Sequence, residues 1–236
     1  MDTNQIRKIN PKIITEDGRI ASFKEQLFDV ISGTYDTTYP LVVSGESKCL
    51  QYIEGINENY PIVFRPGKVF KLVNDHQLDY AFIGNLEKEI SNSVFAFDSR
   101  SEEKTKVLLL DKKDLEGNRI IVAIQTNQKA GYVSVNRVAS VYGKRDIERF
   151  LTLTYDEDYK FYKNQKTGQF IVSNKLQLPT GLITALSDNN YRQTFTKSQV
   201  EAEITHNVKK GSWLQTIKTN ERKDEQEELK RSTTTA

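Results

Sequence analysis

The stretch that decides the fold runs from Asn92 to Lys144 and ends in Ser134-Val-Asn-Arg-Val-Ala-Ser-Val-Tyr-Gly-Lys144. Before this closing run, the stretch holds three strand-like runs, at residues 94–97, 106–111 and 119–125. Gly117-Asn118 separates the second and third runs, and such a pair is typical of a tight hairpin turn. The succession predicts antiparallel strands joined by short connections.

Alternation along the closing run distributes its side chains over two faces of the predicted sheet. Arg137 falls among valines and an alanine on the aliphatic face, whereas Asn136, Ser140 and Tyr142 fall on the polar face. An inward arginine needs a carboxylate or a bound anion to compensate its charge. A structural ion pair and a phosphate are both open at this point. The polar face is either a site or a solvent-facing edge.

Composition narrows the class of protein without naming a reaction. The chain has 236 residues, of which 37% are hydrophobic, and a net charge of +2. Eleven Phe and eleven Tyr supply apolar area for a core. The near-neutral balance decides nothing about a polyanionic partner, because local patches govern such binding. Cys49 is the single cysteine, and with two histidines it makes no convincing zinc site, so we expect no metal and no cofactor.

The charge and hydropathy patterns also bear on localisation. The N-terminal residues lack the apolar core of a secretory signal, and no run approaches the roughly 20 apolar residues that cross a bilayer. A lone cysteine fits a reducing compartment. We therefore expect a cytoplasmic protein without a membrane partner, and the sequence predicts no oligomeric state.

The chain divides by composition into three parts. Residues 1–20 are polar and predict an N-terminal arm, residues 21–205 predict a single domain, and residues 206–236 predict a charged tail that is helical or disordered. Helical patterns precede most of the strand patterns, so the fold class is α+β with an antiparallel sheet. A later hairpin is predicted from residues 159–162 and 169–172.

Two further places could carry chemistry. His76 ends a predicted helix that opens near Pro66, and it is either a half-buried histidine at a helix end or a general acid or base. Lys144 and Arg145 follow the closing strand and lead into a predicted helix. They are either solvated turn residues or cations beside a helix N-terminus that attracts phosphate.

Several segments together resemble the MuF C-terminal domain family of phages and other mobile elements. The resemblance extends over residues 41–178, and it is carried by five segments: Tyr60-Pro-Ile-Val-Phe64, Val69-Phe-Lys-Leu-Val-Asn-Asp-His76, Glu87-Lys-Glu-Ile-Ser-Asn-Ser-Val-Phe-Ala-Phe97, Arg119-Ile-Ile-Val-Ala-Ile124 and Val135-Asn-Arg-Val-Ala-Ser-Val-Tyr142. The order of these segments is more specific than any one of them.

That family is similar to the barnase–EndoU–RelE superfamily of small metal-independent ribonucleases. The resemblance implies N-terminal helices packed on a four- to five-stranded antiparallel sheet. It also implies attack of an RNA 2′-hydroxyl on the adjacent phosphate, with a base, an acid and cationic stabilisation.

By position in the resemblance, His76 is the acid or base, and Arg137 or Lys144 stabilises the phosphate while Ser140 and Tyr142 orient it. Four further residues are the candidates for substrate binding: Lys71, Asn136, Lys144 and Arg145.

Two hypotheses about function follow from the resemblance. The first is an RNA endonuclease-like effector or toxin of a phage or mobile element, acting on RNA or a ribonucleoprotein in the cytoplasm of a bacterial host. The second is a counter-defence inhibitor of the anti-CRISPR kind, which binds a host nucleoprotein with no catalysis or with partner-dependent catalysis. A structural role in phage heads or conjugation is a third.

Overall fold

The computed structural model describes residues 3–208, which form one mixed eight-stranded sheet with helices on both faces. The strands are β1 (Leu41–Ser44), β2 (Ile62–Phe64), β3 (Phe95–Asp98), β4 (Thr105–Lys113), β5 (Arg119–Ala130), β6 (Val133–Lys144), β7 (Phe161–Lys163) and β8 (Thr194–Phe195). The helices are α1 (Thr3–Ile9), α2 (Phe23–Ser32), α3 (Val69–Asn74), α4 (Tyr80–Gly84), α5 (Leu86–Ser91), α6 (Ile147–Asp156), α7 (Thr167–Asn174) and α8 (Thr180–Ser187). Residues 197–208 are also helical.

The sheet confirms the α+β class and corrects its size. Its strand order is β1-β2-β6-β5-β4-β3-β7-β8, and all neighbours are antiparallel except the parallel pair β2 and β6. The predicted strands β3 to β6 form the antiparallel centre. The prediction of four or five antiparallel strands is therefore wrong, because the short strands β1, β2, β7 and β8 extend both edges of the sheet.

Helices α2 to α5 cover one face of the sheet. Phe23 and Leu27 of α2 and Leu72 of α3 pack with buried side chains of the sheet. The start of α2 is a capping box, in which Ser22 accepts from the backbone of Glu25 while the Glu25 carboxylate accepts from Ser22. This face contains the larger core.

The opposite face is covered at its two ends only. Helix α1 buries Ile6 and Ile9 against strands β1, β2 and β6, so the predicted arm packs on the sheet over this part of its length. The N-terminal helices therefore lie on both faces of the sheet, with α1 on one and α2 to α5 on the other. Helices α6, α7 and α8 cover the β3 and β7 end, around Phe95 and Phe161. A strip over the middle of β4, β5 and β6 stays open between the two covers.

A β-bulge in β6 determines which side chains face this strip. Ala123 pairs with Ser140 whereas Ile124 pairs with Val138, so Ala139 is an extra residue in the strand. Val138 and Val141 consequently both pack on the α2–α5 side. Arg137, Ser140 and Tyr142 then share the opposite face, and Asn136 leaves it. The predicted division of this strand into an aliphatic and a polar face is wrong for that reason.

The C-terminal part differs from the sequence-based prediction in one element. β7 pairs with β3 and β8 rather than with residues 169–172, and these residues belong to α7. Phe170 and Ile171 are buried from that helix, and two such neighbours suit a helix packed on a core as well as they suit a strand. Of the predicted tail, residues 209–236 lie outside the described residues. Within the described ones, no helix is long and apolar enough to cross a membrane.

Candidate functional site

The open strip forms a hollow of about 670 Å³, which we call the cationic cleft. Its floor is made by neighbouring strands β4, β5 and β6: Thr105, Val107, Ile121, Ala123, Gln125, Arg137, Ala139, Ser140 and Tyr142. Its rim is made by Arg65 and Lys68 on one side, by residues 99–102 on another, and by Lys144 and Phe150. The cleft thus lies where neither α1 nor α6 covers the sheet.

Positive charge dominates the cleft. Five cationic side chains line it, namely Arg65, Lys68, Arg100, Arg137 and Lys144, against the single carboxylate of Glu102. Arg100 forms an ion pair with Glu157. Within residues 3–208, none of the other four has a carboxylate oxygen within 4.0 Å. Four cations with one carboxylate nearby favour binding of an anion with several charges.

Arg137 is a partly buried cation of the cleft floor without a carboxylate partner in residues 3–208. Its side chain is partly buried, and Nη2 donates to the backbone oxygen of Lys129 at 2.9 Å. Burial, and then the neighbouring Arg65, lower the pKa of Arg137. Of the two alternatives that the sequence leaves open for this arginine, the ion pair is absent from the described residues. The arrangement favours a bound anion.

Lys68 and Lys144 are held in place by neighbours that leave their charge available. The Lys68 ammonium donates to the backbone oxygen of Ala139, the bulge residue, and burial followed by Arg65 lowers its pKa. The Lys144 Nζ lies 4.3 Å from the ring centroid of Phe150, a cation–π contact. Both ammonium groups therefore lie on the rim without a carboxylate partner among residues 3–208.

Glu102 is the one carboxylate of the cleft. Its Oε2 accepts from Gln125 Nε2 at 3.1 Å and from Thr105 Oγ1 at 3.4 Å. These contacts orient the carboxylate toward the floor, where it can accept a proton or a hydroxyl hydrogen bond.

His76 reaches the cleft through Tyr142 and does not itself line it. The two rings lie 5.7 Å apart between centroids at an interplanar angle of 37°. Burial and then Lys71 lower the pKa of His76 below its ordinary 6.5, whereas Asp75 opposes that effect. Burial raises the pKa of Tyr142. Near neutral pH, His76 is therefore an uncharged base beside a protonated phenol.

The other predicted site residues lie apart from the cleft. Asn136 is fully buried on the α2–α5 side, where its Nδ2 donates to Ser47 Oγ at 2.9 Å and to the Asn57 backbone oxygen at 3.2 Å. Lys71 is exposed on α3. Arg145 is exposed and lies 3.5 Å from a carboxylate oxygen of Glu116. The cleft thus brings together Arg137, Ser140, Tyr142 and Lys144.

Sequence reasoning missed Arg65, Lys68 and Glu102. Arg65 and Lys68 flank Pro66-Gly67 in a 3₁₀ turn directly after β2, which is parallel to β6. Strands that run parallel place the turns that follow them at the same end of the sheet, and this signal could have found them had the parallel pair been recognised. No group of three or more metal-ligating side chains occurs in the part of the chain that the structure describes.

Part of the chain matches the model of a known protein family. Residues 69–169 match the family model of the phage MuF C-terminal domain. The match supports a relation to this family and a phage origin. It includes His76 and the cleft residues of β4, β5 and β6, whereas Arg65, Lys68 and all of α1 precede it. No curated protein and no solved structure matches the chain significantly.

Proposed function

We propose that the chain is an RNA-binding effector of a phage that cleaves RNA without a metal ion. The observation that carries the proposal is the cationic cleft, in which Arg137 and Lys68 stand over a floor that includes Ser140 and Tyr142. RNA supplies both partners of such a site, a phosphate for the cations and a 2′-hydroxyl as nucleophile. The target is RNA, free or in a ribonucleoprotein, in the cytoplasm of a bacterial host.

In the proposed reaction the 2′-oxygen attacks phosphorus, and the bond from phosphorus to the 5′-oxygen breaks. The products are a 2′,3′-cyclic phosphate and a free 5′-hydroxyl. His76, uncharged near neutral pH, accepts the proton of the 2′-hydroxyl, and Lys68 donates a proton to the leaving 5′-oxygen. Arg137 stabilises the negative charge that develops on the phosphate, while Tyr142 donates a hydrogen bond.

Incubation of RNA with the protein in the presence of EDTA tests the proposal. The native chain should cleave the RNA and leave cyclic phosphate ends. His76→Ala should slow cleavage by about 10²- to 10⁴-fold, which is the usual contribution of a general acid or base. His206→Ala is the matched control, because His206 is exposed on the C-terminal helical residues 197–208. RNA that carries 2′-O-methyl groups should resist cleavage.

RNA that stays intact with the native chain under all conditions would contradict the catalytic proposal. A second result, equal cleavage by native chain and His76→Ala, would contradict the role of His76 as the base. In the second case Glu102→Gln identifies the base, since Glu102 is the carboxylate that lines the cleft.

A non-catalytic counter-defence inhibitor is the second candidate. It is favoured by one observation, namely that His76 contacts Tyr142 but does not line the cleft. The same cations then hold the RNA of a host ribonucleoprotein without cutting it. Binding of 2′-O-methyl RNA together with intact unmodified RNA would support this candidate over the nuclease.

A further inference from the structure

A second hollow adjoins the cationic cleft, and we call it the N-terminal pocket. It measures about 660 Å³, and its lining includes Lys8, Tyr39, Pro40, Arg65, Lys68 and Arg137. Arg65, Lys68 and Arg137 belong to both hollows. The three cations therefore stand between two openings rather than at the end of one.

The lining of the N-terminal pocket differs from that of the cleft. No Asp or Glu lines it in the described structure, and Lys8 adds a further cation from α1. Tyr39, Pro40 and Ile9 add apolar surface, and Tyr39 is only partly buried. An aromatic face beside a row of cations is the combination that binds single-stranded nucleic acid, because bases stack on the ring while phosphates meet the cations.

The tip of the β5–β6 hairpin carries a second aromatic side chain. Ala130 and Gly131 line the N-terminal pocket, and the next residue, Tyr132, is fully exposed. Its position extends the aromatic surface beyond the pocket, away from the cleft.

We infer that one strand of RNA runs from the cationic cleft across Arg137 into the N-terminal pocket, where an unpaired base stacks on Tyr39. The inference rests on the proposed RNA binding and names its substrate class, single-stranded RNA that is longer than the cleft alone accommodates. Paired bases are excluded from such stacking, since a base must leave its stack to lie on a tyrosine ring. Most of the lining of this pocket comes from elements outside residues 69–169, namely α1, the loop before β1, β2 and the turn after β2.

Fluorescence anisotropy with the full chain tests the path. The probes are a single-stranded trinucleotide, a single-stranded decanucleotide and a decamer duplex, all of 2′-O-methyl RNA so that none is cleaved. Tyr39→Ala should weaken decanucleotide binding by about tenfold or more, the loss expected for one base–aromatic stack. The same change should leave the trinucleotide unaffected, and Tyr39→Phe should restore the decanucleotide. Tyr80→Ala is the matched control, because Tyr80 is a partly exposed tyrosine on α4.

The outcomes separate this inference from the proposal on which it rests. If Arg137→Gln weakens both single strands while Tyr39→Ala weakens neither, RNA binds the cleft and the path into the pocket is wrong. If Tyr39→Ala weakens the trinucleotide and the decanucleotide equally, the path is also wrong. If no probe binds the native chain, both proposals fail. Oligoglutamate serves as a competitor of the decanucleotide. If it displaces the decanucleotide at a similar concentration, the surface binds acidic peptides as well as RNA, and the inference is wrong.

Discussion

At the scale of single residues, Arg137 is the side chain on which the proposed anion binding rests. A guanidinium stays charged in proteins, so partial burial beside a second arginine is unfavourable unless negative charge approaches. Within residues 3–208 its hydrogen bond goes to the Lys129 backbone oxygen, which supplies a dipole and no full charge. A phosphate that contacts Arg137 and Arg65 together removes this strain, and the free energy released contributes to binding.

The first residue-scale prediction concerns the pKa of His76. Lys71 lowers this pKa and Asp75 raises it, so Lys71→Gln should raise the measured value and Asp75→Asn should lower it. Titration of the imidazole by NMR measures both, with His206 as internal reference. If His76 is the base of the reaction, the acidic limb of the rate profile moves in the same direction in each variant. Shifts of the same sign in both variants would contradict this assignment of charges.

The same pKa fixes the sign of a stability effect. Because the folded pKa of His76 lies below 6.5, the folded state holds the proton less tightly than the unfolded chain does. The contribution of this residue to stability is complete above about pH 6.5 and is lost as the pH falls through the folded pKa. Substitution of His76 should therefore flatten the acid side of the stability profile.

At the scale of elements, Asn136 ties β6 to the segment between β1 and β2. It is fully buried, and its contacts to Ser47 and Asn57 cross from the sheet to that segment. Asn136→Ala should lower the free energy of unfolding by about 1–3 kcal/mol, because buried partners are left unpaired. Urea denaturation measures the loss, with Ser134→Ala of the same strand as control. If Asn136→Ala lowers the affinity for RNA while the free energy of unfolding is unchanged, Asn136 contacts RNA and this structural role is wrong.

How far the sequence predicts the elements depends on their length. The strands β3 to β6 and the capped helix α2 follow from alternation, turn residues and the Ser22–Glu25 pair, and the structure confirms them. Strand β8 has two residues, which is too few alternating positions to be distinguished from a loop. The parallel pairing of β2 with β6 is decided by long-range contacts that a local pattern does not contain.

The candidate site shows a second limit of sequence reasoning. Arg137, Ser140 and Tyr142 are predicted site residues, but alternation places Arg137 opposite the other two, whereas the structure brings all three to one face. The bulge at Ala139 shifts the alternation by one residue, and a bulge leaves no clear mark in a single sequence. Arg65 and Lys68 were missed because their place beside β6 depends on the parallel pairing of β2.

At the scale of the whole molecule, the binding surface results from incomplete covering of one sheet face. α1 covers one end and α6 to α8 cover the other, and the opening between them collects cations from β6, from the turn after β2 and from the end of β6. The chain's net charge of +2 does not reveal this surface, because acidic residues elsewhere balance it. Distribution of charge, rather than its sum, governs polyanion binding.

The salt dependence of RNA binding tests the central claim, that the cationic cleft holds RNA phosphates, most directly. The affinity of a 2′-O-methyl decanucleotide is measured over a range of salt for the native chain and for Arg65→Gln/Arg137→Gln. The matched control is Lys24→Gln/Lys88→Gln, which removes two exposed charges from α2 and α5 on the other face. The account predicts that the cleft variant binds more weakly and that the control is unchanged. It also predicts that the slope of log affinity against log salt concentration is smaller in magnitude for the cleft variant by about 1.4, which is about 0.7 for each lost phosphate contact. Equal affinity and equal slope in all three proteins would contradict it.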